Sequence, residues 1–155
     1  MTEDARFEDG ASGALALRAV DADDLRVIST LVQDAVFSMA DMAWDSRRRR
    51  LALLIKRFRW EEVDGRRPPE RVQSLLVIAD ALKVASQGIQ KDAPDLVASL
   101  LALDWAPGPD GTGKITLVLA GDGAVAVDVE AVEVTLKDVT QAYPAPSGQT
   151  PRHPV

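Results

Sequence analysis

The first regular patterns in the chain are those of a short strand and of the helix that follows it. An apolar stretch at residues 14–20 predicts a short strand, and residues 21–24 (DADD) then supply an N-cap and an acidic first turn. Apolar residues follow at intervals of three and four, as on the buried face of an amphipathic helix: Leu25, Ile28, Leu31, Val32, Ala35 and Val36. We therefore predict one main helix over about residues 21–36.

Beyond the helix the pattern becomes that of strands. Apolar runs of four to eight residues, rich in Val, Ile and Leu, alternate with turn segments rich in Gly, Pro and Asp. These runs predict strands at residues 36–44, 50–60, 72–79, 82–86, 97–105, 114–120, 123–129 and 131–137. The Asp-Gly pair within residues 121–123 favours a tight hairpin, because it tolerates a positive φ. The chain is therefore predicted to be α+β and mostly antiparallel β.

The two halves of the strand region share a weak similarity. Residues 77–89 (VIADALKVASQGI) align with residues 127–139 (VDVEAVEVTLKDV) at an offset of 50 residues. This alignment suggests two pseudo-repeated meanders, 36–89 and 97–139, that form one barrel or sandwich covered by the helix. The alternative is that any two sets of antiparallel strands align in apolar pattern.

Composition sets the limits of the domain. Residues 1–13 are mostly charged or small, and residues 144–155 contain four of the nine prolines, so we predict an acidic and a Pro-rich disordered tail. Residues 14–143 then form a single α+β domain, in keeping with a length of 155 residues. No signal peptide or membrane-spanning run is visible, so we predict a cytoplasmic protein without membrane contacts.

The residues that most often carry chemistry are scarce. The chain has no cysteine and a single histidine, His153, close to its C-terminus. We therefore expect no thiolate nucleophile, no Ser-His-Asp triad and no cysteine- or histidine-rich metal site. We predict no catalytic residues, no cofactor and no bound metal, in a chain that is not an enzyme.

One segment partly matches a phosphate-binding P-loop. Residues 108–114 (GPDGTGK) fit the pattern G-x-x-x-x-G-K, but a P-loop continues with Ser or Thr and opens a helix. Here residues 115–119 are apolar and rich in β-branched side chains, which predicts a strand. We interpret the segment as a long loop between antiparallel strands.

Charge is unevenly distributed along the sequence. The whole chain has a net charge of -6, whereas residues 46–71 hold ten basic and four acidic residues and so carry +6. A local excess of arginine favours binding to an acidic partner or an anion. The candidate residues for this binding are Arg47, Arg48, Arg49, Arg50, Arg57 and Arg59.

Three functions are open for this basic window. The leading hypothesis is a non-enzymatic interaction or regulatory module that binds an acidic protein or a second copy of itself. An alternative is a domain, including an enzyme, that binds a small anion or metabolite in a cleft. Nucleic-acid binding with Trp44, Phe58 and Trp60 as stacking residues is weaker, because the protein is acidic overall. In an alternating strand, Phe58 and Trp60 point inward while Arg57 and Arg59 are solvated or paired with acids.

Several short strings resemble one protein family. They are DADDL at 21–25, LVQDA at 31–35, RFRWE at 57–61, LAGDGAV at 119–125 and DVE at 128–130. Together they resemble the alphaproteobacterial domain of unknown function DUF2948, over about residues 15–143. The resemblance implies a bacterial protein, and it supplies no activity, ligand or catalytic residue.

Overall fold

The computed structural model describes residues 14–60, 70–89, 95–139 and 143–144. In chain order its elements are β1 (Ala16–Ala19), α1 (Ala22–Leu31), β2 (Ala35–Ser38), β3 (Met42–Asp45), β4 (Arg50–Phe58), β5 (Glu70–Ile78), β6 (Ala81–Gln87), β7 (Val97–Pro107), β8 (Gly113–Leu119), β9 (Ala124–Val129), β10 (Val134–Asp138) and β11 (Tyr143–Pro144). The tails predicted at 1–13 and 144–155 lie outside the described residues, apart from Pro144.

The helix α1 begins where the sequence predicts and ends five residues earlier. Asp21 is the N-cap, and its side chain accepts a hydrogen bond of 2.8 Å from the Asp24 N–H. Past the helix, Asp34 has a left-handed backbone conformation with φ 67°. Its N–H donates to the Leu100 carbonyl at 2.8 Å. The chain therefore turns into β2, and Val36 belongs to a strand.

All the described strands belong to one sheet with antiparallel pairing. Their order is β1-β10-β5-β4-β2-β7-β8-β9-β6, with β3 also paired to β4 and β11 to β5. The path starts at β1 and ends at β6, and no ladder joins these two edges in the described part of the chain. The predicted α+β class is confirmed, in the form of an open sheet.

The third strand of each predicted meander crosses to the other half. Strands β4 and β5 pair with each other, as do β8 and β9. Strand β6 then pairs with β9, and β10 pairs with β5. The turns before the crossing strands meet, since the Glu130 N–H donates to the Asp80 carbonyl at 2.9 Å. The aligned segments 77–89 and 127–139 thus occupy reciprocal places in one interlocked sheet.

Of three further predicted segments, one is interrupted in the structure, one is confirmed and one lies outside the described residues. The strand predicted at 36–44 is interrupted by a 3₁₀ turn at Met39–Asp41, so β2 pairs with β7 while β3 pairs with β4. The loop interpretation of residues 108–114 is confirmed, because Pro107 is paired with Gly113 at the start of the antiparallel strand β8. Residues 64–69 (DGRRPP), whose Gly, Pro and Asp content predicts a turn between two strands, lie outside the described residues.

One face of the sheet encloses the hydrophobic core. Alternate residues of each long strand are buried, for example Leu51, Leu53 and Ile55 in β4. The helix contributes Leu25 and Ile28 to the same core. The intervening residues of β4 up to Lys56 and those of β5 remain half-buried or exposed, so they form an outer face, whereas α1 packs against β1 and β7.

Candidate interaction surface

The six candidate arginines lie at the two ends of β4. Residues 47–50 form the turn before this strand and its first residue, whereas Arg57 and Arg59 lie at its far end. At 3.4 Å per residue, Arg50 and Arg57 are about 24 Å apart. The structure therefore does not bring the six into one group.

Arg57 is fully buried and binds acidic and polar groups within the chain. Its Nη2 donates to Asp138 Oδ2 at 3.1 Å, and its Nε donates to Ser74 Oγ at 3.1 Å. Asp138 also accepts hydrogen bonds from Ser74 Oγ (2.7 Å) and from the Leu15 N–H (2.9 Å). Arg57 is thus paired with an acid, as predicted, but on the inward face rather than on the face opposite Phe58 that alternation predicts. A partner protein therefore has no access to this guanidinium.

Arg59 and its aromatic neighbours are also engaged inside the chain. Arg59 is 6% exposed, and its Nη1 donates to Glu70 Oε1 at 2.7 Å. Phe58 is buried, with its ring 4.7 Å from that of Trp60 in an edge-on contact. The half-buried Trp60 donates its Nε1–H to the Gln33 carbonyl at 2.9 Å. The buried Phe58 ring cannot stack on a nucleic-acid base.

Arg49 joins three turns of the sheet. Its Nη2 lies 2.6 Å from Glu130 Oε1 and 3.7 Å from Asp80 Oδ1. Its carbonyl accepts a hydrogen bond from the Ala81 N–H at 2.9 Å. Arg49 and Asp80 both have a left-handed backbone conformation, with φ 57° and 53°, in the turns that this ion pair joins. The charge of Arg49 is therefore already compensated.

The other arginines of this turn are solvent-exposed. Arg48 Nη1 lies 3.8 Å from Asp45 Oδ2, and both side chains are well exposed. Such a surface pair contributes little, on the order of 0.2–1 kcal/mol. Within the described residues, Arg47 and Arg50 form no ion pair. The turn thus offers exposed charge, and Trp44 of the preceding strand β3 is 38% exposed.

A second basic group lies on the outer face of β10, β5 and β4. Lys137 is directly opposite Leu75, and Leu75 is directly opposite Leu54. Lys56 is two residues beyond Leu54 on β4 and has the same parity. Its carbonyl accepts a 3.4 Å hydrogen bond from Arg71 Nη1. We call these five residues, Leu54, Lys56, Arg71, Leu75 and Lys137, the outer basic face.

The outer basic face combines uncompensated charge with apolar surface. Leu75 is 36% exposed, and the adjacent Val139 is 46% exposed. Lys56, Arg71 and Lys137 form no ion pair in the part of the chain that the structure describes. The cations of this face therefore differ from Arg49, Arg57 and Arg59, because each of those three arginines has a carboxylate partner.

Glu133, which directly precedes β10 and has the same parity as Lys137, is itself engaged. Glu133 receives two hydrogen bonds from Arg18, from Nε at 2.6 Å and from Nη2 at 2.8 Å. These hydrogen bonds hold the pKa of Glu133 below its ordinary value, and they raise the pKa of Arg18. The Glu133 carboxylate is thus committed to Arg18 and leaves the charge of Lys137 uncompensated.

Sequence reasoning did not identify this face because its residues are far apart in the chain. Lys56 and Lys137 are 81 residues apart and come together only through the pairing of β10 with β5 and of β5 with β4. A signal was present in the alternation of β10, where Val134 and Leu136 are buried and Lys137 is exposed. The order of the strands was the missing information.

Two further features bear on the kind of site. The described residues contain no group of three or more His, Cys, Asp or Glu placed to hold a metal ion. Within these residues, no helix has the length and apolar character needed to cross a membrane.

Together, these features define an α+β protein built on one antiparallel sheet, with a buried Arg–Asp pair and a basic outer surface. The chain belongs to the family Protein of unknown function (DUF2948), whose model matches residues 15–153. This match confirms the resemblance seen in the sequence. No curated protein and no solved structure matches the chain.

Proposed function

We propose that this chain is a non-enzymatic interaction module that binds an acidic segment of another protein through the outer basic face. The observation that carries the proposal is the position of Lys56, Arg71 and Lys137 around the exposed Leu75, with no carboxylate of the described chain paired to them. Exposed cations steer an acidic partner and select it, while an apolar centre supplies contact area.

The expected affinity is modest. Each exposed ion pair contributes about 0.2–1 kcal/mol, and covering a leucine such as Leu75 contributes at most about 1.5–3 kcal/mol. Association also costs translational and rotational freedom. A partner that places one apolar side chain on Leu75, with carboxylates on either side, therefore forms a reversible contact of the kind used in regulation.

The turn at residues 47–50 is a less favourable site for the same partner. Arg49 is held by Asp80 and Glu130, and Arg48 has Asp45 nearby. Binding of a small anion by converging arginines has less support, because Arg57 and Arg59 are buried against Asp138 and Glu70.

Site-specific photo-crosslinking tests the proposal. A photoreactive phenylalanine analogue replaces Leu75 on the outer basic face. As a matched control, the same analogue replaces Ala126, which lies on the outer face of β9 opposite Thr116 of β8. In cells that make the protein, Leu75 is expected to give an adduct with an Asp/Glu-rich segment of another protein, and Ala126 is not. The Lys56→Glu/Lys137→Glu variant is expected to lose the adduct, whereas Arg47→Glu/Arg48→Glu keeps it.

Three results would contradict the proposal. The first is the same adducts from both positions, and the second is adducts that survive reversal of Lys56 and Lys137. The third is an adduct formed only with a second copy of the chain, which would indicate self-association. Mass spectrometry of the cross-linked peptides distinguishes these results.

A further inference from the structure

The described chain begins at the edge of the outer basic face. The Leu15 N–H donates to Asp138 Oδ2, and the Asp138 N–H donates to the Leu15 carbonyl, each at 2.9 Å. The next residue, Ala16, is directly opposite Lys137. Ala14 is exposed. The preceding residues therefore join the domain one strand away from Lys137 and two strands away from Leu75.

Residues 1–13 are long enough to cross this face. Thirteen residues can extend about 40 Å at 3.3 Å per residue, whereas β1 and β4 are separated by three strand spacings, or about 15 Å. Phe7 precedes Ala14 by seven residues, so its side chain can reach Leu75 on β5.

The same segment has the complementary charge. Its four acidic residues, against the single Arg6, are Glu3, Asp4, Glu8 and Asp9. They lie in two pairs on either side of Phe7, so one aromatic side chain is flanked by carboxylates. The outer basic face presents three cations around Leu75. Opposite charges and a matching apolar centre favour this pairing over contact with other parts of the surface.

We propose that residues 1–13 dock on the outer basic face of their own chain, with Phe7 over Leu75, and compete there with the external partner. The competition rests on the proposed function, but the docking does not. A short tether gives an effective concentration in the millimolar range. With an intrinsic dissociation constant of about 1 mM, the segment would occupy the face about half of the time and weaken partner binding about two-fold.

Paramagnetic relaxation enhancement on the full chain tests the docking. Because the sequence has no cysteine, Thr2→Cys introduces a single attachment point for a nitroxide label. At low salt we expect loss of amide signal intensity at Leu75 and Lys137 and little loss at Ala126. The loss should disappear in Lys56→Glu/Lys137→Glu. It should return when Glu8→Lys/Asp9→Lys is added to that variant, since the charges are then exchanged.

The outcomes separate docking from the proposed function. Equal losses at Leu75 and Ala126, or no losses at all, would overturn the docking even if a partner adduct at Leu75 is found. Selective losses support the docking even if no partner adduct forms. Selective losses without a partner adduct would count against the proposed function and not against the docking. If both hold, neutralising the acids with Glu3→Gln/Asp4→Asn/Glu8→Gln/Asp9→Asn should raise the partner's affinity about two-fold. Unchanged affinity would overturn the competition.

Discussion

The guanidinium of Arg57 and the carboxylate of Asp138 form a buried ion pair that spans three strands. Nη2 and Oδ2 are 3.1 Å apart, and the two side chains are 0% and 2% exposed. Arg57 belongs to β4 and Asp138 to β10, while Ser74 of the intervening strand β5 bonds to both. The pair also holds the start of the domain, because Asp138 accepts the Leu15 N–H.

Removing one partner of this pair is expected to destabilise the fold strongly. Asp138→Ala leaves the buried guanidinium of Arg57 without its carboxylate, a change that typically costs about 3–5 kcal/mol. Urea unfolding monitored by tryptophan fluorescence measures the loss. Arg57→Met should be similarly destabilising, since it leaves the Asp138 carboxylate buried with fewer donors.

The double variant Arg57→Met/Asp138→Leu is the control for coupling. Replacing both charges by apolar groups of similar volume is often close to neutral, so this variant should be more stable than either single variant. A double variant whose loss equals the sum of the two single losses would show that the residues act independently.

The burial of Arg57 illustrates what sequence alone could predict. Alternation predicts Phe58 and Trp60 on the inward face and Arg57 on the opposite one. This prediction is wrong for Arg57, which shares the inward parity of Leu53 and Ile55 and is fully buried. Its acidic partner could not be identified, since Asp138 is 81 residues away and meets it only through the order β10-β5-β4. Local pattern therefore predicted the strand, and only the topology of the sheet showed the ion pair.

Gly113 is expected to tolerate no side chain. A Cβ at this position would overlap Trp105 Cη2 and would lie 2.6 Å from the Ala106 carbonyl oxygen. Trp105 packs against the core, so Gly113→Ala should displace its ring and cost about 1–3 kcal/mol. Unfolding measurements give the cost, and a shift of the Trp105 emission reports the displacement.

Gly121→Ala is the comparison for this prediction. Gly121 has φ 79° and open space around its Cα, so alanine there meets only backbone strain of about 1–2 kcal/mol. Gly121→Ala should therefore leave the Trp105 emission unchanged. An emission shift of the same size in both variants would refute the steric explanation for Gly113.

The start of α1 depends on its N-cap. Asp21→Ala removes the acceptor for the Asp24 N–H and is expected to cost about 1 kcal/mol. Asp21→Ser keeps an acceptor at this position and should retain most of the stability. Equal losses in the two variants, measured by urea unfolding, would contradict the capping role.

The two ends of this helix differ in how far sequence could define them. Its start was predictable because the capping interaction between Asp21 and Asp24 is local. Its end was not, because Ala35 and Val36 continue the helical period while the Asp34 N–H binds the Leu100 carbonyl of β7. A tertiary contact overrides the local pattern at that point.

The pair of Arg18 and Glu133 should make stability depend on pH in the acidic range. Arg18 lowers the pKa of Glu133 in the folded chain, chiefly through its hydrogen bonds. A carboxyl with a lowered folded pKa stabilises the protein above its unfolded pKa and loses this contribution as pH falls through the folded pKa.

Arg18→Gln should therefore raise the Glu133 pKa, as seen by NMR titration of its carboxyl carbon. The difference in unfolding free energy between wild type and Arg18→Gln should be greatest above about pH 5 and vanish at lower pH. A difference that stays constant down to full protonation of Glu133 would show that Arg18 stabilises the edge strand β1 by some means other than its charge.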